Sequence, residues 1–315
     1  MQLFGRVLYG INNIYTVLSD GREISCRILG KVLKSGRQKD GPPEYNPIAV
    51  GDWVEMTSDP HSEDKGWIKS RTDRKSRLVR FIKKRRAVQI IAANVDLLVC
   101  VTSVDKPPFR PRFVDRMLVS AHVGNVEPLI FVNKSDLSAE KGLAERIEAY
   151  RKGGYTVILG SALTGDGLEE LKKLIADTTA VFVGQSGVGK SYLLNRLEPG
   201  LNLKVGDISQ KYNRGGHTTN FSMMVRLDQN CWVIDTPGIR ELDIHGVRPE
   251  QLKSYFPEFA EPAEMCAYSS CNHIEEPDCE VKQRVEQGGI HPDRYESYIR
   301  MYQHLLHLYE DRPDL

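Results

Sequence analysis

The stretch Gly184-Gln185-Ser186-Gly187-Val188-Gly189-Lys190-Ser191 constrains this 315-residue chain more than any other. It follows the apolar run Ala180-Val181-Phe182-Val183 and leads into Tyr192-Leu193-Leu194, the strand, loop and helix context of a phosphate-binding loop. The glycines let backbone N–H groups converge on phosphate oxygens without a Cβ in the way, and the helix that follows adds its N-terminal partial positive charge. In such a loop Lys190 reaches the β- and γ-phosphates and Ser191 ligates Mg²⁺. A nucleoside triphosphate is the expected ligand.

The surrounding pattern supplies the sheet that this loop needs. Apolar runs at 95–101, 128–132 and 156–159 alternate with helical patterns at 112–123, 139–151 and 167–177, which predicts a parallel sheet covered on both faces. Two more strands are expected at 221–227 and 231–235, the second ending in Asp235-Thr236-Pro237-Gly238. An Asp at the carboxyl end of a strand is where Mg²⁺ and the γ-phosphate are read.

Asn133-Lys134-Ser135-Asp136, directly after a strand, names the base. A carboxylate accepts from both guanine N1–H and the exocyclic amine, whereas adenine presents a lone pair there. Losing two charge-assisted hydrogen bonds at roughly 1.5–3 kcal/mol each gives guanine selectivity of several orders of magnitude. The order of motifs is unusual: NKSD and Ser161-Ala162 precede the phosphate loop and DTPG follows it, the reverse of most GTPases. A cut between the third and fourth strands, with the old ends joined near 177–180, restores the sheet.

Ahead of this region, short alternating runs between turn signals, including Asp20-Gly21, predict a small antiparallel barrel of OB type over about residues 1–80. Residues 34–47 read as a long exposed loop, and 69–86 as a strand end plus linker carrying ten Lys/Arg against the single acid Asp73. That strip is either a solvated connector or a surface that tracks RNA phosphates. The net charge of +1 conceals an asymmetry, because residues 1–90 hold 18 basic and 10 acidic side chains. No apolar run approaches the roughly 18 residues of a membrane span, and the N-terminus lacks the pattern of a secretory signal, so a cytosolic protein without a membrane partner is expected.

Cys266-x4-Cys271-x-His273-x5-Cys279 offers three thiolates and an imidazole within 14 residues, the ligand set of a closed tetrahedral Zn²⁺ site. The alternative is a group of reduced, unligated cysteines. Helices at 249–255, 281–287 and 292–309 are too few to bury much core, so zinc is expected to fold this segment.

The permuted order, the barrel and the Cys/His cluster together resemble the circularly permuted small-ribosomal-subunit biogenesis GTPases, the RsgA (YjeQ) family, over nearly the whole chain. The resemblance implies three domains: an all-β OB-like barrel (1–80), an α/β circularly permuted P-loop GTPase (88–246) and a mainly helical zinc domain (247–315). It implies that Gly184, Gln185, Ser186, Gly187, Val188, Gly189, Lys190, Ser191 and Tyr192 hold the phosphates and Mg²⁺, with Asp235 and Gly238 beside them. Asn133, Lys134, Ser135 and Asp136 would hold the base, with Ser161 and Ala162 behind it. His217-Thr218-Thr219 matches the switch I signature, one threonine lying near Mg²⁺ and the γ-phosphate, and His217 resembles the histidine to which hydrolysis is attributed; a plain loop histidine is the alternative. Gly216, Asn220 and Tyr192 differ from the residues usual at those places, and apolar Ile239 stands where Ras-like enzymes keep a water-orienting glutamine. The implied function is GTP hydrolysis by a monomer coupled to maturation of the small subunit through its rRNA. A nucleotide-gated RNA-binding regulator with incidental hydrolysis is the rival.

Overall fold

A computed structural model of the chain describes residues 2–30, 44–82, 87–201, 222–228, 230–235, 242 and 244–310. Strands β1 (Gln2–Ile11), β2 (Ile14–Ser19), β3 (Arg22–Ile28), β4 (Trp53–Asp59) and β5 (Ser62–Arg71) close into a barrel in the order β1-β2-β3-β5-β4. Alternation along the strands turns Val7, Val17, Cys26, Val54, Met56 and Ile68 into one interior core. Asn12-Asn13 and Asp20-Gly21 make the first two hairpin turns, all four at positive φ, the hand that matches strand twist. The wholly antiparallel expectation fails at one seam, where β3 and β5 pair in parallel. Five strands alternating in direction cannot close without one such pair.

The loop expected at 34–47 is not wholly exposed. Residues 31–43 lie outside the described residues, but Asn46 exchanges hydrogen bonds of 2.9 Å with both backbone groups of Ile90, and Ile48 and Ala49 are buried. The linker expected within 69–86 is instead half of a hairpin. β6 (Arg77–Ile82) pairs antiparallel with β7 (Ala87–Ala93). Ahead of it, the Arg74 side chain is 5% exposed and donates to Asp52 at 2.8 Å and to Glu44 at 3.0 Å. Part of the basic strip therefore cements the barrel, using carboxylates 22 and 30 residues away. Lys83, Lys84, Arg85 and Arg86 lie outside the described residues.

The second sheet has the order β10-β9-β8-β11-β13-β12, built from β8 (Leu97–Ser103), β9 (Glu127–Asn133), β10 (Thr156–Leu159), β11 (Thr179–Gly184), β12 (Met223–Arg226) and β13 (Trp232–Asp235). All pairs are parallel except the edge pair β12 and β13. Central β8 is buried on both faces: Leu98 and Cys100 pack with α1 (Pro111–Val123) and α2 (Leu143–Lys152), while Leu97, Val99 and Val101 pack with α3 (Leu168–Ile175) and α4 (Lys190–Leu197). From β10 at the edge, α3 carries the chain back to β11 on the other side of β8. That switch point sets the carboxyl ends of β9, β11 and β13 around one crevice.

The C-terminal segment contains 3₁₀ turns at Pro249–Tyr255 and Pro257–Phe259, then α5 (Ala260–Ala263), α6 (Glu280–Glu286) and α7 (Pro292–Glu310). The expectation of little core here is wrong. Phe256, Phe259 and Tyr298 are fully buried, with ring centroids 5.0–5.3 Å apart, and Met301 and Leu305 of α7 join them. α7 docks on α1 around Arg294, which bonds to Asp115 and to Glu258 at 2.6 and 3.0 Å. Tyr150 donates to Asp115 at 2.8 Å, and the guanidinium lies over the rings of Tyr150, Tyr155 and Phe256. Among the described residues no helix is long and apolar enough to cross a membrane.

Candidate functional site

Residues 184–191 run from the end of β11 into the first turn of α4. Two glycines are required by close approach. A Cβ on Gly184 would stand 2.2 Å from the Val101 carbonyl oxygen of β8, and one on Gly189, where φ is 95°, would stand 2.6 Å from the Asn133 side-chain nitrogen. Val188 is buried and seats the loop on the sheet. Lys190 lies across the loop and donates to the carbonyls of Gly184 and Gln185, the latter at 3.1 Å. Burial lowers its pKa, and the Asp235 carboxylate opposes that shift. Asp235 ends β13 opposite Phe182 of β11, so it faces the crevice beside the loop.

Asn133 joins the base motif to everything around it. It is 2% exposed, its amide donates to the Val188 carbonyl at 2.8 Å, and its side-chain oxygen accepts from the Ala162 N–H at 2.9 Å. One side chain thus ties the phosphate loop to the Ser161-Ala162 loop. Lys134 donates to the Gly187 carbonyl at 2.8 Å and to that of Lys106, adding a second strap. Ser135 N–H donates to the Gly160 carbonyl at 3.0 Å, and the fully buried Ser161 donates its hydroxyl to Asp136. The Asp136 carboxylate is therefore held in one orientation by its own surroundings.

The Cys266, Cys271, His273 and Cys279 ligand atoms all lie within 4.8 Å of one another. Cys266 and Cys279 sulfurs are 3.9 Å apart, and His273 Nδ1 is 3.6 and 3.4 Å from them. A tetrahedral ion with metal–sulfur bonds of about 2.3 Å sets its sulfurs about 3.8 Å apart, so the cluster fits a metal ion. Burial pushes the Cys271 thiol up to about 12 and the His273 imidazole down to about 4, which leaves His273 a neutral donor and Cys271 a thiol that ionises only against a cation. Glu276 accepts from the N–H groups of Asn272 and Ile274, and Tyr295 donates to the His273 carbonyl at 2.7 Å, fixing the ligand loop from outside.

A family model described as RsgA GTPase matches residues 71–245. A relative from Borreliella burgdorferi (strain ZS7), named small ribosomal subunit biogenesis GTPase RsgA, is 37% identical over 305 residues covering 95% of each chain. The chain belongs to the RsgA GTPase family. A second relative of that name, from Chlorobaculum tepidum, is 40% identical over 289 residues, 90% of this chain and 91% of its own. The crystal structure of YjeQ from Thermotoga maritima superposes with a TM-score of 0.75 at 34% identity, covering 97% of this chain and 99% of that one. That of YloQ, described as a circularly permuted GTPase, gives 0.69 at 26% identity over 97% and 95%.

Within this RsgA-family chain, the base motif, the Ser161-Ala162 loop, the phosphate loop and Asp235 come together around one crevice. His217, Thr218, Thr219, Gly238 and Ile239 lie outside the described residues. The contribution of residues 103–107 is absent from the motif reading. Ser103 ends β8 and donates to the Pro107 carbonyl at 2.6 Å, holding the turn whose Lys106 carbonyl receives Lys134. A buried serine at a strand's carboxyl end, before Pro107-Pro108, was the available signal.

Proposed function

We propose that the chain is a GTP hydrolase that binds the small ribosomal subunit and couples hydrolysis to the subunit's late maturation and to its own release. The observation that carries this reading is the Asn133 clasp, whose bonds to Val188 and Ala162 tie the tetrapeptide that holds Asp136 to the phosphate loop. The relatives' printed names supply the partner. In this reading 1–80 and the basic strip contact rRNA, 88–246 bind and cleave GTP, and 247–315 report the nucleotide state to the subunit. Lys190 and backbone N–H groups of residues 184–192 hold the phosphates, Ser191 and a switch I threonine (Thr218 or Thr219) hold Mg²⁺, and Asp235 and Gly238 face the γ-phosphate. Asn133, Lys134, Ser135 and Asp136, with Ser161 and Ala162, hold guanine. The protein acts in the cytoplasm as a monomer. The deciding measurement is GTP turnover with and without small subunits. Equal turnover in both, with no subunit binding, overturns the reading.

His217 is the proposed hydrolytic residue, because apolar Ile239 cannot orient water. Intrinsic turnover is then slow and rises when a subunit orders switch I. Expected for His217→Ala is nearly unchanged GTP affinity with a stimulated kcat lowered roughly 10²-fold or more, the range for positioned catalytic groups. An unaltered stimulated rate removes His217 from the mechanism.

Zinc is the proposed occupant of the Cys266, Cys271, His273 and Cys279 cluster, and metal analysis of freshly purified protein is expected to return one equivalent. Binding of this kind contributes on the order of 10 kcal/mol to the fold it organises. The aromatic core around Phe259 and Tyr298 confines its reach, so Cys271→Ser should abolish amide protection over the ligand loop and α6 while leaving α7 on α1 and nucleotide binding in place. Loss of protection throughout α7 would show that the metal, not the aromatic core, holds the segment.

A further inference from the structure

A cleft of about 970 Å³ opens between the start of α1, the face of α7 and the outer edge of the phosphate loop at Gln185 and Ser186. Five arginines line it against two acids. Three of the five are already satisfied by those acids: Arg112 and Arg300 both bond to Glu296, at 2.6 and 2.9 Å, and Arg146 bonds to Asp293 at 2.6 Å. The other two, Arg110 and Arg116, have no side-chain partner among the described residues. Arg110 precedes Pro111 at the α1 N-terminus, a helix end with no side-chain cap, so its charge adds to the partial positive charge of the helix dipole. Two uncompensated guanidiniums in a concave site ask for an anion.

We propose that this cleft takes the sugar–phosphate backbone of an RNA strand, with Arg110 and Arg116 each holding a phosphate. This rests on the ribosomal reading above. RNA suits the site better than an acidic peptide, because the half-buried Phe113 ring on the same wall offers a face for an unpaired base while the guanidiniums take the flanking phosphates. The position matters more than the charge. An RNA strand seated here touches α7 of the C-terminal segment and the phosphate loop at once, so its binding is linked to that of the nucleotide the loop holds. By linkage the coupling is reciprocal: whatever factor the γ-phosphate adds to RNA affinity, RNA adds to the affinity for GTP over GDP. The paired arginines have a different task, since Arg112, Glu296 and Arg300 bridge α1 to α7 and keep the cleft's two walls at a fixed separation.

The test is the full-length double variant Arg110→Ala/Arg116→Ala, with Arg110→Lys/Arg116→Lys as its charge-keeping counterpart. Neither residue belongs to the nucleotide motifs, so basal hydrolysis and GDP affinity should match the parent. Affinity for small subunits, with a GTP analogue bound, should fall about tenfold or more, the scale of one lost charge-assisted contact. The slope of log K against log[salt] should flatten by about 1.5, as expected for two phosphates. The preference for subunits in the GTP-analogue state over the GDP state should shrink by a similar factor, and the lysine variant should recover most of the salt slope. Small-subunit RNA should compete for the parent, and poly-glutamate of equal charge should not. A parent that neither binds subunits nor responds to them overturns both readings. A parent that does both, with a double variant indistinguishable from it, overturns the cleft assignment alone. Competition by poly-glutamate as strong as by RNA makes the cleft a peptide site and also overturns it.

Discussion

Asp136→Asn should exchange guanine for xanthine. In the proposed site the parent carboxylate accepts from N1–H and from the exocyclic amine, and Ser161 bonds to it from behind. An asparagine keeps one acceptor but turns an N–H₂ toward the amine, so both charge-assisted bonds are lost at roughly 1.5–3 kcal/mol each. Affinity for GTP and GDP should then drop by about 10²- to 10⁴-fold, at 1.4 kcal/mol per tenfold. Xanthine replaces the amine by a carbonyl that accepts from the new N–H₂, so xanthosine nucleotides should bind the variant nearly as tightly as guanosine nucleotides bind the parent. The fold should be indifferent to the change, because the asparagine oxygen still accepts from Ser161. Titration calorimetry with GDP, XDP and ADP on both proteins checks this, and a parent that binds ADP as well as GDP sinks it.

The second large effect is on stability and lies far from the nucleotide. Among the described residues Arg294 is the one cation paired with Asp115 and with Glu258, and its side-chain exposure is 3%, against 0% for Asp115 and 14% for Glu258. Arg294→Met would leave a fully buried carboxylate uncompensated, which costs about 3–5 kcal/mol. Arg294→Lys should recover little, since an ammonium cannot bond to both carboxylates in a fork while stacking on Tyr150 and Phe256. Replacing the pair together, Arg294→Met with Asp115→Leu, should return most of the loss, because well-packed apolar groups often match a buried ion pair. Denaturant midpoints for the three variants separate these cases. A loss below about 1 kcal/mol in Arg294→Met means that the network is not what joins α7 to α1.

These two sites differ in how far the residue string discloses them. Asp136 sits in a tetrapeptide whose spacing alone marks it as a candidate for reading the base, and the structure places it beside Ser161. The strands that surround it are legible too, because β8 is buried on both faces and reads as the unbroken run Leu97-Leu98-Val99-Cys100-Val101. Asn133 is recognisable as part of the motif, yet its two bonds to Val188 and Ala162 span 55 and 29 residues, and no local pattern reports them. Arg294 and Asp115 stand 179 residues apart, and neither differs in its neighbourhood from a surface charge. The β6 and β7 hairpin was obscured by composition: Arg74, Lys75, Arg77 and Arg80 give the look of a solvated connector, and only Leu78 in the interior betrays a strand. The C-terminal core is not legible, because Phe256, Phe259 and Tyr298 come from irregular turns and a distant helix and show no helical period.

The strand order has a consequence for how the chain is made. β8, β9 and β10 leave the ribosome first, and the free edge of β8 waits for β11, which is separated from it by α1, α2 and α3. At roughly 5–20 residues per second that interval lasts on the order of seconds, long compared with the microseconds in which small elements form. The half-sheet must survive this interval with one long apolar edge unpaired, and the clasp at Asn133 has no partner until Val188 is synthesised. Pairing of β8 with β11 and assembly of the Asn133 clasp are therefore one event in the life of the nascent chain. Each newly made molecule of this GTPase joins the two halves of its sheet only as its phosphate loop emerges, and β12 and β13, made later, finish the edge.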